Sequence, residues 1–311
     1  MRLSELRASN KQKGTIGIIG LGIMGGAFAK NLRAAGWRIV GFDLSGARCR
    51  EAKRNGAKIV DSVAAVAREA RDVITSLPNP KALDAVSKEL ARAKLKPRVV
   101  IEASTFTIED KERAERMLRK AGHIMLDCTV SGTGAQAKVK DLVFYASGDS
   151  KTIKRLRPMF LDFGREVYDL GAFGNGSKMK YVANLLVAIH NVAAAEAMVL
   201  GMKAGLDPQV VYQLANAGAG KSRAFELRGP MMVKNDYTNV TATVATLNKD
   251  MHVIGDFAKK LGVLVPLFRA TEPIYDKALH GGYAQHDIGS VCAVLERMAR
   301  LKRGKSRRKA R

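Results

Sequence analysis

Glycines at positions 20, 22 and 25 follow a short apolar run, Thr15-Ile-Gly-Ile-Ile, and open a stretch that reads as helix. G-x-G-x-x-G in that setting suits one kind of chemistry, the holding of a dinucleotide. The first glycine permits a tight turn, the second lets a pyrophosphate reach the backbone, and the third lets helix pack on strand; the helix N-terminus then faces the phosphates. The candidate cofactor residues are therefore Gly20, Leu21, Gly22, Ile23, Met24 and Gly25. Asp43 closes the next strand-like run, 18 residues after Gly25, where a carboxylate binds a ribose 2′-hydroxyl. Its charge repels a 2′-phosphate and favours NAD, while Arg48 nearby keeps NADP as the alternative. The plain alternative is that Asp43 caps a helix beginning near Ser45.

A second set of residues lies in 174–205, GNGSKMKYVANLLVAIHNVAAAEAMVLGMKAG. The stretch has no proline, is rich in helix formers and stops at Gly205 before Asp207-Pro208. As a helix from 178 to 204 it spans about 40 Å at roughly 1.5 Å per residue. Lys180 and Asn184 stand four apart and share one face near its start. Most of the rest is Ala, Leu, Val and Met, which predicts burial nearly all round. A lysine and an asparagine there need partners or a purpose; the plain alternative is a lysine at the helix mouth that reaches water. The stretch 128–137, Cys-Thr-Val-Ser-Gly-Thr-Gly-Ala-Gln-Ala, is dominated by small residues. Amides beside Gly132 and Gly134, with the Ser131 hydroxyl, can cradle an anion, or the segment is a flexible turn. Lys249 beside Asp250 is a charged pair inside a helical stretch and reads as solvated when taken alone.

The elements needed to position these groups alternate along the first half. Strand character is expected at 15–20, 38–43, 58–60, 72–76, 98–104, 123–127, 141–147 and 166–170, with helices at 62–70, 81–93, 108–121 and 151–160. Such order predicts a parallel, doubly wound sheet complete by about residue 171. Ligands sit at the carboxyl ends of such strands, which places Leu77-Pro78, Ser104-Thr105 and Asp127 onward along one rim beside the glycine turn. Beyond the long helix every segment reads as helical: 208–217, 222–234, 243–261, 269–281 and 287–303. The fold class is α/β, with an N-terminal Rossmann-type sheet (14–173), an interdomain helix (174–205) and an all-α substrate and dimerisation domain (206–300). A basic extension (1–13) and a basic tail (301–311) flank them.

The chain has 311 residues, 47% hydrophobic, enough for two domains with sizeable cores. No run of eighteen apolar residues occurs, so no membrane span is expected, and the N-terminus lacks a secretory stretch. Cys49, Cys128 and Cys292 are isolated, without metal spacing or a disulfide framework, as befits a reducing cytoplasm. The formal charge is +24, and the last twelve residues, RLKRGKSRRKAR, carry eight basic side chains and no acid. No aromatic interleaves them, so the tail reads as a solvated extension rather than a nucleic-acid site.

Several of these motifs converge on one family. The chain resembles the β-hydroxyacid dehydrogenases, the group of 3-hydroxyisobutyrate dehydrogenase and tartronate semialdehyde reductase, over roughly 14–300. The opening signature appears as Ile18-Ile-Gly-Leu-Gly-Ile-Met-Gly25 through Ala29-Lys-Asn31. The cofactor loops resemble Leu77-Pro78 and Ser104-Thr105, and the substrate loop Asp127-Cys-Thr-Val-Ser-Gly-Thr133. The motif G-x-G-x-x-x-K-x-x-x-N matches Gly174, Gly176, Lys180 and Asn184 at every spacing, and the later K-D pair is Lys249-Asp250. Two departures stand out: Thr129 replaces the usual proline and Thr133 the second glycine.

The resemblance implies a soluble oxidoreductase that moves a hydride between NAD(H) and a small 3-hydroxy acid or its semialdehyde. Lys180 would be the general acid and base and Asn184 would orient the substrate oxygen. Ser131, Gly132 and Thr133 would hold the substrate carboxylate, or a sulfonate, and Lys249 would approach the substrate or the nicotinamide. The chemistry is sound, because oxidation of an alcohol needs removal of the hydroxyl proton as hydride leaves. A homo-oligomer, dimer or tetramer, is also implied. Alternatives are a 6-phosphogluconate-type enzyme, for which the chain is short; an imine reductase, a group that generally lacks lysine at this position; and a non-catalytic polyanion-binding relative, which the intact Lys180 and Asn184 disfavour.

Overall fold

A computed structural model describes residues 13–303. The expected basic extension 1–13, apart from Lys13, and tail residues 304–311 lie outside the described residues. The chain divides into two compact units, one ending at Lys180 and one beginning at Tyr181.

The first unit is built on eight strands: β1 (Thr15–Ile19), β2 (Arg38–Phe42), β3 (Lys58–Ile59), β4 (Asp72–Thr75), β5 (Val99–Glu102), β6 (Ile124–Ser131), β7 (Val143–Ser147) and β8 (Glu166–Asp169). Their spatial order is β3-β2-β1-β4-β5-β6-β7-β8. Alternate residues of the central strands point to opposite faces. Ile16, Ile18, Ile74, Val99 and Ile101 join one core cluster with Phe28, Phe144, Phe160 and Phe163. Ile19, Val40, Val73 and Val100 join the other. A sheet apolar on both faces must be covered on both, which is why helices connect its strands. These are α1 (Ile23–Ala34), α2 (Gly46–Arg54), α3 (Val63–Glu69), α4 (Pro80–Arg92), α5 (Ile108–Lys120), α6 (Gly134–Lys138) and α7 (Ser150–Phe163). Polar side chains set several helix starts: Ser62, Asn79, Thr107 and Asp149 each accept a first-turn amide.

Two expectations need correction. The sheet is not wholly parallel, since β6 and β7 pair antiparallel. For the same reason β6 does not stop at Asp127: Cys128 to Ser131 find partners in Phe144, Tyr145, Ala146 and Val143 of β7 and continue as strand. A segment of small residues reads locally as a turn, but a neighbouring strand supplies the ladder that the local sequence does not reveal.

Helix α8 (Asn175–Lys203) begins in the first unit and continues into the second. By length and composition it is the one described helix that can cross a membrane. Asn184 and Asn191 are nevertheless buried along it, Tyr181 packs edge-on against Phe257, and Tyr275 donates to the Ala188 carbonyl at 3.2 Å. These are features of a protein core helix. It is not buried all round, however, because Val182, Leu186 and Leu200 are exposed. A helix apolar on every face carries no sequence signal of which face is covered.

The second unit contains α9 (Pro208–Ala217), α10 (Arg223–Lys234), α11 (Val244–Lys260), α12 (Pro266–Ala278) and α13 (Val291–Met298). Its tie-point is a buried ion pair. Arg228 Nε lies 2.9 Å from Asp287 Oδ1, while Oδ2 accepts from the Thr241 amide and hydroxyl. Burial raises the Asp287 carboxyl pKa, but Arg228 and the bonds from Thr241 and Gly289 outweigh it and leave it below the ordinary value. Asp287→Asn leaves a buried guanidinium without its counter-ion and is expected to cost about 3 kcal/mol in urea unfolding at neutral pH. A depressed carboxyl stabilises fully above its unfolded pKa of about 3.9 and ceases to as pH falls through its folded value, so the difference between wild type and variant shrinks in acid. A pH-independent difference contradicts this.

The basic tail does not begin at 301 in structural terms. Arg303 pairs with Glu296 and donates to the Met232 and Val233 carbonyls. A deletion that spares the second unit therefore starts after Arg303.

Candidate active site

The glycine turn follows β1 directly. Gly20 has φ +89°, and a Cβ there would lie 2.1 Å from the Ser76 carbonyl oxygen. A Cβ on Gly25 would lie 1.9 Å from the Gly20 oxygen. At Gly22 a Cβ would meet nothing within 4 Å. Two glycines are thus demanded by the chain's own packing, whereas the third keeps a space open beside the backbone. Gly22 is the N-cap of α1 and offers no side-chain cap to its amides. An open cradle at an uncapped helix N-terminus fits the pyrophosphate of a dinucleotide.

Asp43 holds this turn in place. Its Oδ2 accepts from the Leu21 amide at 2.6 Å and its Oδ1 from the Ser45 amide at 2.7 Å. The N-cap of α2 is Ser45 itself. Asp43 is therefore not the helix cap; it ties the residue after β2 to the glycine turn, and a carboxylate retains lone pairs for further donors.

The neighbouring loops come together on the same rim. The Ser76 amide donates to the Ile19 carbonyl at 2.9 Å. The Leu77 amide donates to Ser104 Oγ at 2.8 Å, and the Ser104 amide donates to Glu102 Oε1 at 3.0 Å. Pro78 and Asn79 follow at the exposed edge, where Asn79 caps α4, and Thr105 follows Ser104, half-buried.

The end of β6 delivers Ser131 and Gly132, both half-buried. Gly132 has φ +133°, and a Cβ there would lie 2.5 Å from Leu142. The two departures from the family pattern each have a structural task. Thr129 Oγ1 donates to the Gly176 carbonyl at 2.8 Å, tying β6 to the start of α8. The Thr133 amide donates to Gln136 Oε1 at 3.1 Å, and Gln136 in turn donates to Asp141. The Thr133 amide is thus committed within the loop, which leaves the Ser131 hydroxyl and the Gly132 turn as the better anion donors. The Cys128 thiol, in the middle of β6, is fully buried; burial first, then Asp127, pushes its pKa well up, so it is no thiolate nucleophile.

The start of α8 is fastened to β6. Gly174 has φ +93°. A Cβ on Gly176 would lie 2.4 Å from the Tyr145 oxygen and 2.7 Å from the Asp127 oxygen, so only glycine allows the helix to approach this closely. The Ser177 amide donates to Asp127 Oδ2 at 2.7 Å and the Ser177 hydroxyl to Oδ1 at 2.9 Å. Lys180 follows within one turn and is half-buried. One turn further, in the second unit, Asn184 Nδ2 donates to Asp250 Oδ2 at 2.9 Å, and Lys249 Nζ pairs with Asp250 Oδ1 at 3.0 Å. With one amide hydrogen engaged, the Asn184 carboxamide keeps its oxygen and a second hydrogen for another partner.

Sequence reasoning passed over Glu102, Lys111, Ser177 and, as a working residue, Asp250. Lys111 carried a readable signal: Lys111, Ala114 and Leu118 form the buried stripe of α5, so a lysine occupies a core position at helical spacing. Among the described residues no group of three or more His, Cys, Asp or Glu could hold a metal ion.

Comparison with known proteins agrees with this geometry. Residues 15–171 match the NAD binding domain of 6-phosphogluconate dehydrogenase, and 174–295 match the NAD-binding domain of NADP-dependent 3-hydroxyisobutyrate dehydrogenase. The chain is 32% identical to an L-threonate dehydrogenase of Cupriavidus necator over 90% of its own length and 95% of that protein. Among solved structures, a 3-hydroxyisobutyrate dehydrogenase from Salmonella typhimurium is 30% identical with a TM-score of 0.82, covering 91% of this chain and all of that one. The 3-hydroxyisobutyrate dehydrogenase of Mycobacterium tuberculosis, solved with L-serine, is 28% identical with a TM-score of 0.81, covering 91% and 99%.

Proposed function

Because the chain belongs to the β-hydroxyacid dehydrogenase family of NAD(P)-dependent oxidoreductases, we propose that it transfers a hydride between NAD(H) and a small 3-hydroxy acid or its semialdehyde, with Lys180 as general acid and base. The observation that carries this reading is the fastening of α8 to β6. One strand ends in Ser131 and Gly132, and the same strand, through Asp127 and Thr129, holds the helix turn that precedes Lys180.

The nicotinamide, when bound, supplies the hydride acceptor for oxidation or the donor for reduction. The chain's own residues do the rest. The Ser131 hydroxyl and the Gly132 turn hold the substrate carboxylate. The Lys180 amine accepts the proton of the substrate hydroxyl during oxidation, and its ammonium returns a proton to the carbonyl oxygen during reduction. Asn184, steadied by Asp250, orients that oxygen through its remaining amide hydrogen. Lys249, paired with Asp250, would add positive charge that attracts an anionic substrate.

3-Hydroxyisobutyrate, L-threonate and L-serine, the compounds attached to the relatives' names or structures, share a carboxylate and a hydroxyl on the third carbon. A panel of 3-hydroxy acids and semialdehydes, with sulfonate analogues, tests the reading when NADH formation or loss is followed with both cofactors. The expected result is turnover of at least one carboxylate, with kcat/KM at least tenfold higher for NAD than for NADP, because an Asp43 carboxylate at the ribose would repel a 2′-phosphate. A tenfold repulsion corresponds to about 1.4 kcal/mol, well within what one unscreened charge supplies. No turnover of any panel member contradicts the function; equal use of both cofactors contradicts the role of Asp43.

The protein is also proposed to work as a homo-oligomer, dimer or tetramer. Leu214 and Leu264 are 70% and 92% exposed in the second unit, with Leu206, Val210 and Leu267 exposed as well. Apolar exposure on this scale favours association. Light scattering should give a multiple of 33.7 kDa at micromolar concentration, and a 33.7 kDa species would contradict it.

A further inference from the structure

Among the fully buried polar side chains of the first unit are Glu102, Lys111, Asp127, Ser147 and Ser177. Glu102 and Asp127 are register partners on β5 and β6, so two carboxylates stand side by side inside the protein. Lys111 reaches them from α5, with Nζ 2.7 Å from Glu102 Oε2 and 2.7 Å from Asp127 Oδ1. Burial works against its charge, but the two carboxylates outweigh that and raise its pKa, so it stays an ammonium. Asp127 also accepts from an amide in the first turn of α8, the end of a helix where a carboxylate is favoured.

The remaining bonds lead outward in two directions. On one side Glu102 Oε1 accepts from the Ser104 amide, and Ser104 Oγ accepts from the Leu77 amide at the cofactor rim. On the other, Asp127 accepts from the Ser177 amide and hydroxyl. Ser147 Oγ accepts from the Gly176 amide at 2.9 Å and donates to the Asp127 carbonyl at 3.2 Å. An unbroken series of ion pairs and hydrogen bonds therefore runs from Leu77 to the helix turn just before Lys180. A buried triad of this kind is a poor device for stability, since apolar residues of equal volume often serve as well or better. It is a good device for holding two elements in one register.

We propose that Lys111 is a positioning residue: by bridging Glu102 and Asp127 it couples the Leu77–Ser104 rim to the first turn of α8 and so sets where Lys180 stands. The inference rests on the proposed function only for its catalytic consequence; the coupling itself is separate. Misplacing a catalytic group by about 1 Å can cost on the order of a hundredfold in rate.

The test uses Lys111→Met/Glu102→Gln, which removes one charge of each sign and leaves Asp127 with its Ser177 donors. The expected variant folds with a lowered Tm, because Asp127 loses its ammonium, and binds NAD within about threefold, yet its kcat falls by about tenfold or more with substrate KM little changed. Hydrogen–deuterium exchange reads the coupling without turnover. NAD should protect both the glycine turn, 20–26, and the helix start, 174–182, in the wild type, but only the glycine turn in the variant. If the double variant does not fold, Glu102→Gln replaces it: the charges then balance one to one, and a carboxamide, with one oxygen for the two donors Lys111 and the Ser104 amide, must release one of them and so breaks the series. A folded variant that retains NAD-dependent protection at 174–182 and wild-type kcat overturns the proposal, as does a wild type in which NAD leaves 174–182 unprotected. A wild type inactive on every hydroxy acid removes the functional reading instead, and the exchange data still decide the coupling.

Discussion

Lys180→Ala should lower kcat by about three orders of magnitude while the Kd for NAD stays within about threefold, the size of effect expected for loss of a positioned proton-transfer group. The substitution is mild for the fold. Alanine is the best helix former, and the bonds by which Gly176, Ser177, Asp127 and Ser147 fasten the start of α8 stay in place. The glycine turn and its Asp43 anchor lie on other elements, so cofactor affinity has no reason to change. Lys180→Arg should also be slow, because a guanidinium keeps its charge at any working pH and cannot act as base. Stopped-flow and steady-state rates with fluorescence titration of NADH separate the two quantities. A kcat within tenfold of wild type would remove Lys180 from the chemistry.

The second large effect separates two glycines of one motif. In Gly25→Ala the new methyl would stand 1.9 Å from the Gly20 carbonyl oxygen, a backbone atom that cannot swing aside. Helix α1 must then move off β1, and both stability and cofactor binding should fall, the former by about 3 kcal/mol or more. Gly22→Ala meets no protein atom within 4 Å, and its φ of −63° suits any residue. That variant should melt like the wild type and still bind NAD at least tenfold more weakly, because its methyl takes the space reserved for the pyrophosphate. Thermal melts and isothermal titration on the pair check this. Unimpaired NAD binding by Gly22→Ala would place the pyrophosphate elsewhere.

The legible parts of the molecule were those whose signals are local. The glycine turn reads directly because strand, turn and helix are contiguous, and the start of α8 because its glycines and Lys180 fall within a few residues. What escaped depends on partners distant in sequence. The run from Cys128 to Ser131 becomes strand only because β7 lies beside it. Asp43 reads as a ribose ligand or a cap, while its bond to Leu21 spans 22 residues. Lys111 sits in IEDKERAERMLRK, where a lysine among acids looks like surface; its place on the Ala114–Leu118 stripe was the clue. The exposed face of α8 was hidden because its apolar residues lie on every side and so say little about direction.

The central claim is that the Lys180 amine carries the proton that balances hydride transfer. Chemical rescue tests it most directly: single-turnover NADH formation by Lys180→Ala with a reactive hydroxy acid, measured with and without small primary amines. The account predicts a rate lost in buffer alone and partly restored by amines, more strongly by amines of suitable basicity. Hydride transfer at the wild-type rate with no amine present, or a variant that no amine revives while its NAD binding and fold are intact, would contradict it.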